Sequence, residues 1–126
     1  MSERIRIVVP GRPVPAARMT RRGKWVSFNA QRYLAYKAEV ASFARQAVRV
    51  PLQGRLGVEI WAYCAGGRVG DVDNLAKAIL DGLNGVVWYD DNQVVDLVVH
   101  RRYGKPQRAE IEIWVAEDRS RGEETA

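Results

Sequence analysis

The stretch that decides the fold is residues 70–83, which read GDVDNLAKAILDGL. Its apolar residues recur at steps of three and four, the spacing of one helix face; they are Leu75, Ala78, Ile79, Gly82 and Leu83. This pattern predicts a helix over about residues 74–83, with Asn84-Gly85 as its C-terminal stop. An amphipathic helix has to bury its apolar face, so the flanking segments must supply a second layer.

Alternating apolar and polar residues on both sides of this helix predict strands. In chain order, the predicted elements are a strand at 5–9, a helix at 30–48 with Asn29 as its N-cap, a strand at 56–64, the helix at 74–83, and strands at 93–103 and 109–115. The turn at 104–107 predicts that the last two strands form an antiparallel hairpin. The order β-α-β-α-β-β predicts an α+β fold, a single domain with helices packed on a mixed sheet.

Length and composition suit one cytoplasmic domain. The 126 residues fit a single domain, which we place at residues 1–117, followed by a polar tail at 118–126 that we expect to be flexible. Cys64 is the one cysteine, so the chain has no internal disulfide and a reducing cytosol is its natural setting. We expect no signal peptide and no membrane span, because no run approaches the ~18 apolar residues that a span needs.

The net charge of +5 is unevenly distributed along the chain. Residues 71–96 hold six acids and one base, whereas the remainder holds 19 bases and nine acids. A basic surface attracts nucleic acid by long-range attraction and counterion release. A soluble basic protein without a nucleic-acid role has the same composition, so charge alone leaves both interpretations open.

Asp71 and Asp73 are the first pair of acids in that stretch. If the chain is extended there, residues two apart point to the same side, and both carboxylates can reach one hard cation. Alternatively, Asp73 caps the helix and Asp71 favours its positive end. Capping needs only one acid, however, and it does not predict a second acidic pair.

Lys77 extends the pattern along the helix. Asp73, Lys77 and Asp81 are four residues apart, so they share one face, opposite the apolar stripe. A helical side chain leans toward the N-terminus, so Lys77 is expected to point its ammonium back toward the paired acids. A lysine there can offset charge that grows on phosphoryl oxygens. The alternative is a surface ion pair between Lys77 and Asp81.

The second acidic pair, Asp90 and Asp91, follows the helix and precedes a strand. Turn chemistry alone explains Asp90-Asp91-Asn92. The functional interpretation is that one of the two supplies a third carboxylate. Three carboxylates around one or two Mg²⁺ ions can activate water and stabilise an in-line phosphoryl displacement. Magnesium fits better than zinc, because soft and imidazole ligands are scarce in this chain.

Residues 70–96 together resemble the core of the RusA Holliday junction resolvases. The shared pattern is Gly-Asp-Val-Asp-Asn-Leu-x-Lys-x-x-x-Asp-x-Leu-Asn-Gly-Val-Val-Trp-x-Asp-Asp-x-Gln-Val-Val-Asp. Its fixed internal spacing makes it far more specific than an isolated Asp-x-Asp. The first strand followed by Pro13-Val14-Pro15 and Arg18 is also similar to the family, and the resemblance covers the chain up to about residue 117.

The resemblance implies a homodimeric, Mg²⁺-dependent endonuclease, with Mn²⁺ as a substitute ion and no small-molecule cofactor. It implies paired symmetric nicks in four-way DNA junctions during recombination and repair. The family's essential carboxylates fall on Asp71, Asp73 and Asp91, and its functional lysine falls on Lys77. Asp90 matches as well and ranks second as a metal ligand.

Basic residues outside the acidic stretch are the candidates for DNA contact. Residues 16–27 mix arginines with Trp25, which suits a loop on a phosphate backbone, although an ordinary solvated loop has the same composition. Family members often carry a lysine after the N-terminal prolines, where this chain has Ala16-Ala17. The residues that we expect to contact phosphates are Arg18, Arg21, Arg22, Lys24, Arg68, Arg101, Arg102 and Lys105.

Two other functions compete with a resolvase. The first is a non-catalytic, basic DNA-binding module, in which the acids are caps and turns and removal of Mg²⁺ leaves binding unchanged. The second is an enzyme that uses Asp-x-Asp on a nucleotide sugar. Such enzymes usually need a dinucleotide-type domain, and this chain has no Gly-rich loop of that kind.

Overall fold

The computed structural model describes residues 3–19 and 28–116. Its elements are β1 (Ile5–Pro10), α1 (Phe28–Ala47), β2 (Leu56–Cys64), α2 (Val72–Leu83), a 3₁₀ turn (Asp91–Gln93), β3 (Val94–Tyr103) and β4 (Arg108–Val115). The order and the α+β class are those predicted, and the element ends differ from the predicted ones by at most two residues. The expected tail at 118–126 lies outside the described residues.

The sheet has four strands in the order β1-β4-β2-β3. Strand β4 pairs antiparallel with both β1 and β2, whereas β2 and β3 are parallel, so the sheet is mixed as predicted. Parallel neighbours need a crossover, and α2 supplies it. The helix therefore starts where β2 ends and returns the chain to the sheet edge at β3.

The last two strands run antiparallel, but the predicted hydrogen-bonded hairpin between them is wrong. Strand β2 lies between β3 and β4 and pairs with both. The turn at 104–107 passes over the end of β2, where Gly104 N donates to Cys64 O at 3.2 Å and Ala65 N donates to Gln107 Oε1 at 2.8 Å. Four residues are enough to bridge two strand spacings of roughly 4.8 Å each.

Both helices pack on one face of the sheet and form the core with it. The inward residues of β2 and β4 meet in register, with Val58 opposite Ile113 and Ile60 opposite Ile111, and all four are fully buried. The helices approach each other closely at Gly82, where an added Cβ would stand 2.7 Å from Val40 Cβ. Trp88, which follows α2, is also fully buried.

The other face of the sheet carries a ladder of ion pairs. Arg4 Nη1 contacts Glu112 Oε1 at 2.9 Å, and Glu110 accepts from Arg6 at 2.7 Å and from Arg108 at 2.8 Å. Partial burial raises the pKa of Glu110, but the hydrogen bonds from Arg108 and Arg6 outweigh it and leave that pKa below its usual value. This face explains why polar residues alternate with apolar ones along β4. Within the described residues, no helix is long and apolar enough to cross a membrane.

Candidate active site

A cavity of about 430 Å³ opens where α2, the 3₁₀ turn and β3 meet. Its polar lining residues are Asp73, Lys77, Asp81 and Asp91, and its apolar ones are Val72, Ala76, Leu80, Leu97 and Val99. Three of the four residues that the sequence proposes for catalysis therefore share one cavity. Asp71, the fourth, is not among the lining residues.

Asp71 stands at the boundary between the loop and α2. It occupies the N-cap position, and Leu75 N donates to its backbone oxygen at 3.0 Å. Its carboxylate makes no capping hydrogen bond within the described chain. The helix begins at Val72, so the expected N-cap position of Asp73 was wrong, and so was the extended chain that would turn both carboxylates to one side. Capping accounts for the backbone of Asp71 but not for its acidic side chain.

Asp73 lies in the first turn of α2 and is exposed. Its Oδ1 accepts a hydrogen bond from Asn74 N at 2.9 Å. The helix dipole favours a negative charge at this end, which stabilises the ionised carboxylate without using all of its lone pairs. Asp73 therefore presents a charged oxygen donor at the wall of the cavity.

Asp91 is the third carboxylate, and a hydrogen bond connects it to a core residue. Trp88 Nε1 donates to Asp91 Oδ1 at 2.7 Å, and the Trp88 side chain is fully buried. A fixed indole therefore orients a half-buried carboxylate three residues further along the chain. This hydrogen bond uses one of the carboxylate's acceptor sites, so Asp91 keeps others with which it could bind a cation.

Asp90 has a structural role in the same turn. Its Oδ1 accepts from Asn92 N at 3.1 Å, and Gln93 Oε1 accepts from Asp90 N at 3.1 Å, which is a capping box. Gln93 Nε2 in turn donates to Leu52 O and Gly54 O, both at 2.9 Å. The turn-chemistry interpretation thus fits Asp90, which does not line the cavity.

Lys77 is directed away from the paired acids. Its Nζ lies 3.1 Å from Asp81 Oδ2, one turn further along α2, and the same oxygen accepts a hydrogen bond from Tyr33 OH of α1. The ammonium therefore forms the ion pair with Asp81 that was the alternative interpretation. The expectation that it points back toward Asp73 was wrong. The role of Tyr33 could not be predicted, because its contact with Asp81 joins residues 48 positions apart.

The N-terminal arm is docked against the start of α2. Ala16 N donates to Asn74 O at 2.9 Å, and Pro15 lies so close to Gly70 that an added Cβ would stand 2.6 Å from it. Arg18, two residues beyond Ala16, is exposed and lines a separate pocket with Asn29 and Arg32. The expected DNA-contacting residues Arg21, Arg22 and Lys24 lie outside the described residues.

The loop that leads into Asp71 is held by two arginines. Arg12 donates to Gly66 O at 2.8 Å and to Arg68 O at 2.7 Å, and Arg101 Nη1 donates to Gly70 O at 2.9 Å. Arg12 was not among the residues predicted from the sequence. The available signal was the Gly66-Gly67 pair, since both glycines adopt positive φ and such a loop needs donors for its carbonyls.

The remaining predicted basic residues lie at the same end of β3. Arg102 is exposed and donates to Arg101 O at 3.1 Å. Lys105 is exposed on the turn that crosses the end of β2. Arg101 and Arg102 line a small pocket with Gly66, Gly67 and Val69 of the loop that leads into Asp71. We call Arg68, Arg101, Arg102 and Lys105 the basic region.

The donor set suits a hard divalent cation, because carboxylate oxygens are the ligands that such ions prefer. Across residues 3–19 and 28–116, no three His, Cys, Asp or Glu side chains stand close enough together to hold a metal ion. Asp71, Asp73 and Asp91 would therefore have to draw together around an ion. His100 is engaged elsewhere, with Nε2 2.7 Å from Glu59 Oε2.

An α+β domain with an acidic cavity beside a basic region defines a candidate metal-dependent enzyme that acts on a polyanion. The family model described as Endodeoxyribonuclease RusA matches residues 10–114. The chain therefore belongs to the RusA endodeoxyribonuclease family. This family comprises divalent-metal-dependent Holliday junction resolvases, hydrolases that act on DNA.

One curated protein is similar over a shorter segment. It is the uncharacterized protein YqaN of Bacillus subtilis (strain 168), 46% identical over 43 residues. The aligned segment covers 34% of this chain and 30% of YqaN, so the match spans less than a third of that relative's length.

Proposed function

We propose that the protein is a Mg²⁺-dependent, structure-selective endonuclease that resolves four-way DNA junctions by paired symmetric nicks, in recombination and repair. One observation carries the proposal. Asp73 and Lys77 of one helix line a single cavity together with Asp91, which follows that helix, in a member of the RusA family. The preceding loop brings Asp71 to the start of the same helix.

Each residue has a defined task in this proposal. Asp71, Asp73 and Asp91 bind the ion, Asp90 keeps the 3₁₀ turn in shape, and Lys77 offsets charge on the phosphoryl oxygens in the transition state. Bound there, Mg²⁺ would act as a Lewis acid on the phosphodiester and would make an attacking water more acidic. Mn²⁺ can substitute, because it takes the same oxygen ligands.

Junction DNA would lie on the basic region beside the cavity. Arg18, Arg68, Arg102 and Lys105 would contact phosphates and set the register of the strand, with Arg21, Arg22 and Lys24 in the same role. Contacts to phosphates carry no sequence information by themselves, so the branched shape is read first. The proposed location is the cytoplasm, because a chain with the single cysteine Cys64 and no internal disulfide suits a reducing compartment.

Paired nicks require two active sites, and the described residues of each chain form one such acidic cavity, so we propose a homodimer with two-fold symmetry. Strand β3 is the natural contact surface. It is an edge strand of ten residues, and it exposes Val95, Leu97 and Val98 to between 42% and 47%. An exposed apolar edge strand is a template for pairing with another strand.

The charge order of β3 fits pairing with a second copy of itself. In an antiparallel pair about a two-fold axis normal to the sheet, facing residues lie on the same side of the strand. Registers that pair Val98 or Val99 with itself then place Asp96 opposite His100 or Arg102 of the second copy. In the register that places Asp96 opposite Arg102, the two opposite charges stabilise the pair.

Cleavage of a synthetic four-way junction tests the enzymatic proposal. We expect symmetric nicks with Mg²⁺, and we expect Asp71→Asn or Asp91→Asn to abolish cutting while junction binding persists. Asp90→Asn is the matched control, since Asn caps a turn as well as Asp does and should retain activity. Wild-type cutting by Asp71→Asn and Asp91→Asn would refute the assignment. Binding without nicks would favour the non-catalytic module instead.

Sedimentation velocity tests the dimer separately. Val98→Lys puts a charge at the centre of the proposed β3 pairing and should shift the protein to monomer. The same substitution at Val8, which is also exposed but lies on β1 at the other edge of the sheet, should leave the dimer intact. A Val98→Lys protein that sediments as a dimer would exclude this contact surface.

A further inference from the structure

Asp81 is an acid in the cavity wall to which the proposed mechanism gives no task. Its side chain is 21% exposed, and Oδ2 accepts from two donors on two helices, Lys77 Nζ of α2 at 3.1 Å and Tyr33 OH of α1. A carboxylate held from two directions has little freedom to rotate. Asp81 therefore offers the Lys77 ammonium a partner whose own position is fixed.

The anchor on the α1 side is rigid. Tyr33 is only 5% exposed. Burial in the first place, and then the hydrogen bond to Asp81, raises the pKa of the Tyr33 hydroxyl far above its usual value. The phenol thus remains protonated and keeps donating to Asp81 at any pH at which the protein works.

Helix stability does not explain an acid at this position. Asp81 lies in the last turn of α2, where the helix dipole disfavours negative charge. The pair also has its base N-terminal to its acid, which is the less stabilising order of a pair four residues apart. An acid that the helix itself disfavours, placed in the wall of the acidic cavity, points to a role in that site.

The alternative partner for Lys77 is Asp73. Asp73 lies four residues before Lys77, one turn toward the N-terminus on the same helix face, and both residues line the cavity. If the ammonium paired with Asp73, it would occupy a carboxylate that the proposed function reserves for the divalent cation. The pair with Asp81 keeps the ammonium in the cavity but away from Asp73.

We propose that Asp81, anchored by Tyr33, is a positioning residue that holds Lys77 away from Asp73 and so keeps the cation site open. This inference rests on the proposed function, because it assumes that Asp73 is a cation ligand. It predicts that loss of Asp81 weakens cation binding through Lys77, although Asp81 itself binds no ion.

Calorimetric titration of the full chain with Mg²⁺, without DNA, gives a direct measurement. We expect Asp81→Asn to weaken Mg²⁺ binding about fivefold, the upper range for an exposed ion pair. In a Lys77→Ala background the same substitution should change the affinity less than about twofold, because no ammonium remains to be released. Equal weakening in both backgrounds would show that Asp81 acts on the ion directly and would overturn the inference.

A pair of tyrosines on α1 supplies a matched control. Tyr33→Phe should weaken Mg²⁺ binding about twofold, because Asp81 loses its anchor but keeps its charge. Tyr36 is buried on the same helix, and its hydroxyl has no partner within the described residues, so Tyr36→Phe should leave Mg²⁺ binding unchanged. Equal effects of the two substitutions would contradict the role of Tyr33.

Junction cleavage separates this inference from the proposed function. A wild-type protein that binds no Mg²⁺ and makes no nicks would refute the proposed function itself. A wild-type protein that cuts junctions, together with an Asp81→Asn variant of unchanged Mg²⁺ affinity, would refute only the positioning role. Thermal denaturation of each variant checks that it is folded, and Tyr33→Phe tests the same positioning role if Asp81→Asn does not fold.

Discussion

Trp88→Phe is the substitution that most directly connects the core to the site. Trp88 is fully buried, and its Nε1 is 2.7 Å from Asp91 Oδ1. Phenylalanine keeps an aromatic ring in the core but removes the donor, so Asp91 loses the bond that orients it. We expect both the free energy of unfolding and the cleavage rate to fall, for separable reasons.

The loss of stability follows from two contributions. A phenyl ring leaves a void on the order of 40 Å³, which costs about 1 kcal/mol at ~24 cal/mol per Å³. The hydrogen bond to a carboxylate contributes roughly 1.5 kcal/mol, the low end for a charged partner, because the half-buried Asp91 can recover some water. The total of about 2.5 kcal/mol corresponds to a fall in Tm of roughly 10 °C for a domain near this size.

Thermal denaturation and junction cleavage below the Tm of the variant test the two effects. We expect Trp88→Phe to cut at least tenfold more slowly than wild type, with a higher Mg²⁺ requirement, because Asp91 samples several rotamers. Trp114→Phe is the control, since Trp114 stacks on Arg4 on the opposite face of the sheet and should keep wild-type cutting. A Trp88→Phe protein with wild-type rate and Mg²⁺ dependence would show that Asp91 needs no anchor.

Two further predictions concern stability. Gly82→Ala should destabilise the protein by about 1–2 kcal/mol in urea denaturation, because the added Cβ would stand 2.7 Å from Val40 Cβ. The cost of this overpacking exceeds the roughly 1 kcal/mol gain in helix propensity. A stabilised variant would contradict the close contact between the helices. Glu110 has a folded-state pKa below the usual 4.5, so its contribution is complete above that pH and is lost as the pH falls through the folded-state pKa. Glu110→Gln should therefore be less stable than wild type at neutral pH, and the difference in Tm should shrink below about pH 4.5; a constant difference would exclude this linkage.

Helix α2 and strand β4 were predictable because the core sets their periodicity. The five residues that the sequence assigns to the apolar face of α2 are all buried. In β4, Ala109, Ile111 and Ile113 are fully buried as the alternation predicts, but Val115 is 59% exposed at the end of the strand. A side-chain period is a local property, so it can be read without knowledge of the neighbours.

Strand pairing could not be predicted in the same way. The alternation in β4 suits any neighbour with an apolar inner face, so it fits β2 as well as β3. The short turn at 104–107 resembles a hairpin turn, yet it passes over the end of β2, held by Cys64 O and Gln107 Oε1. Which strand lies between two others depends on contacts between distant residues, and one sequence does not display them.

In the candidate site, too, spacing within one helix could be predicted, whereas contacts between elements could not. Helical spacing correctly placed Asp73, Lys77 and Asp81 on one face, and all three line the cavity. The direction of the Lys77 ammonium could not be deduced, because Tyr33 on the other helix fixes its partner. Spacing alone did not distinguish Asp90 from Asp91, and the resemblance to the RusA family favoured Asp91. In the structure the two differ, because Asp91 accepts a hydrogen bond from Trp88 Nε1.

Arginines near the acidic loop complicate any assignment of DNA contacts from charge. Arg101 was expected to contact phosphates, yet its guanidinium holds Gly70 O, directly before Asp71. Loss of junction binding in Arg101→Ala would therefore mix a lost phosphate contact with a displaced carboxylate. Mg²⁺ affinity measured without DNA separates them, because a phosphate contact cannot change it and a displaced Asp71 must. The same reasoning applies to Arg12, which does not line the cavity but donates hydrogen bonds to the loop that leads into Asp71.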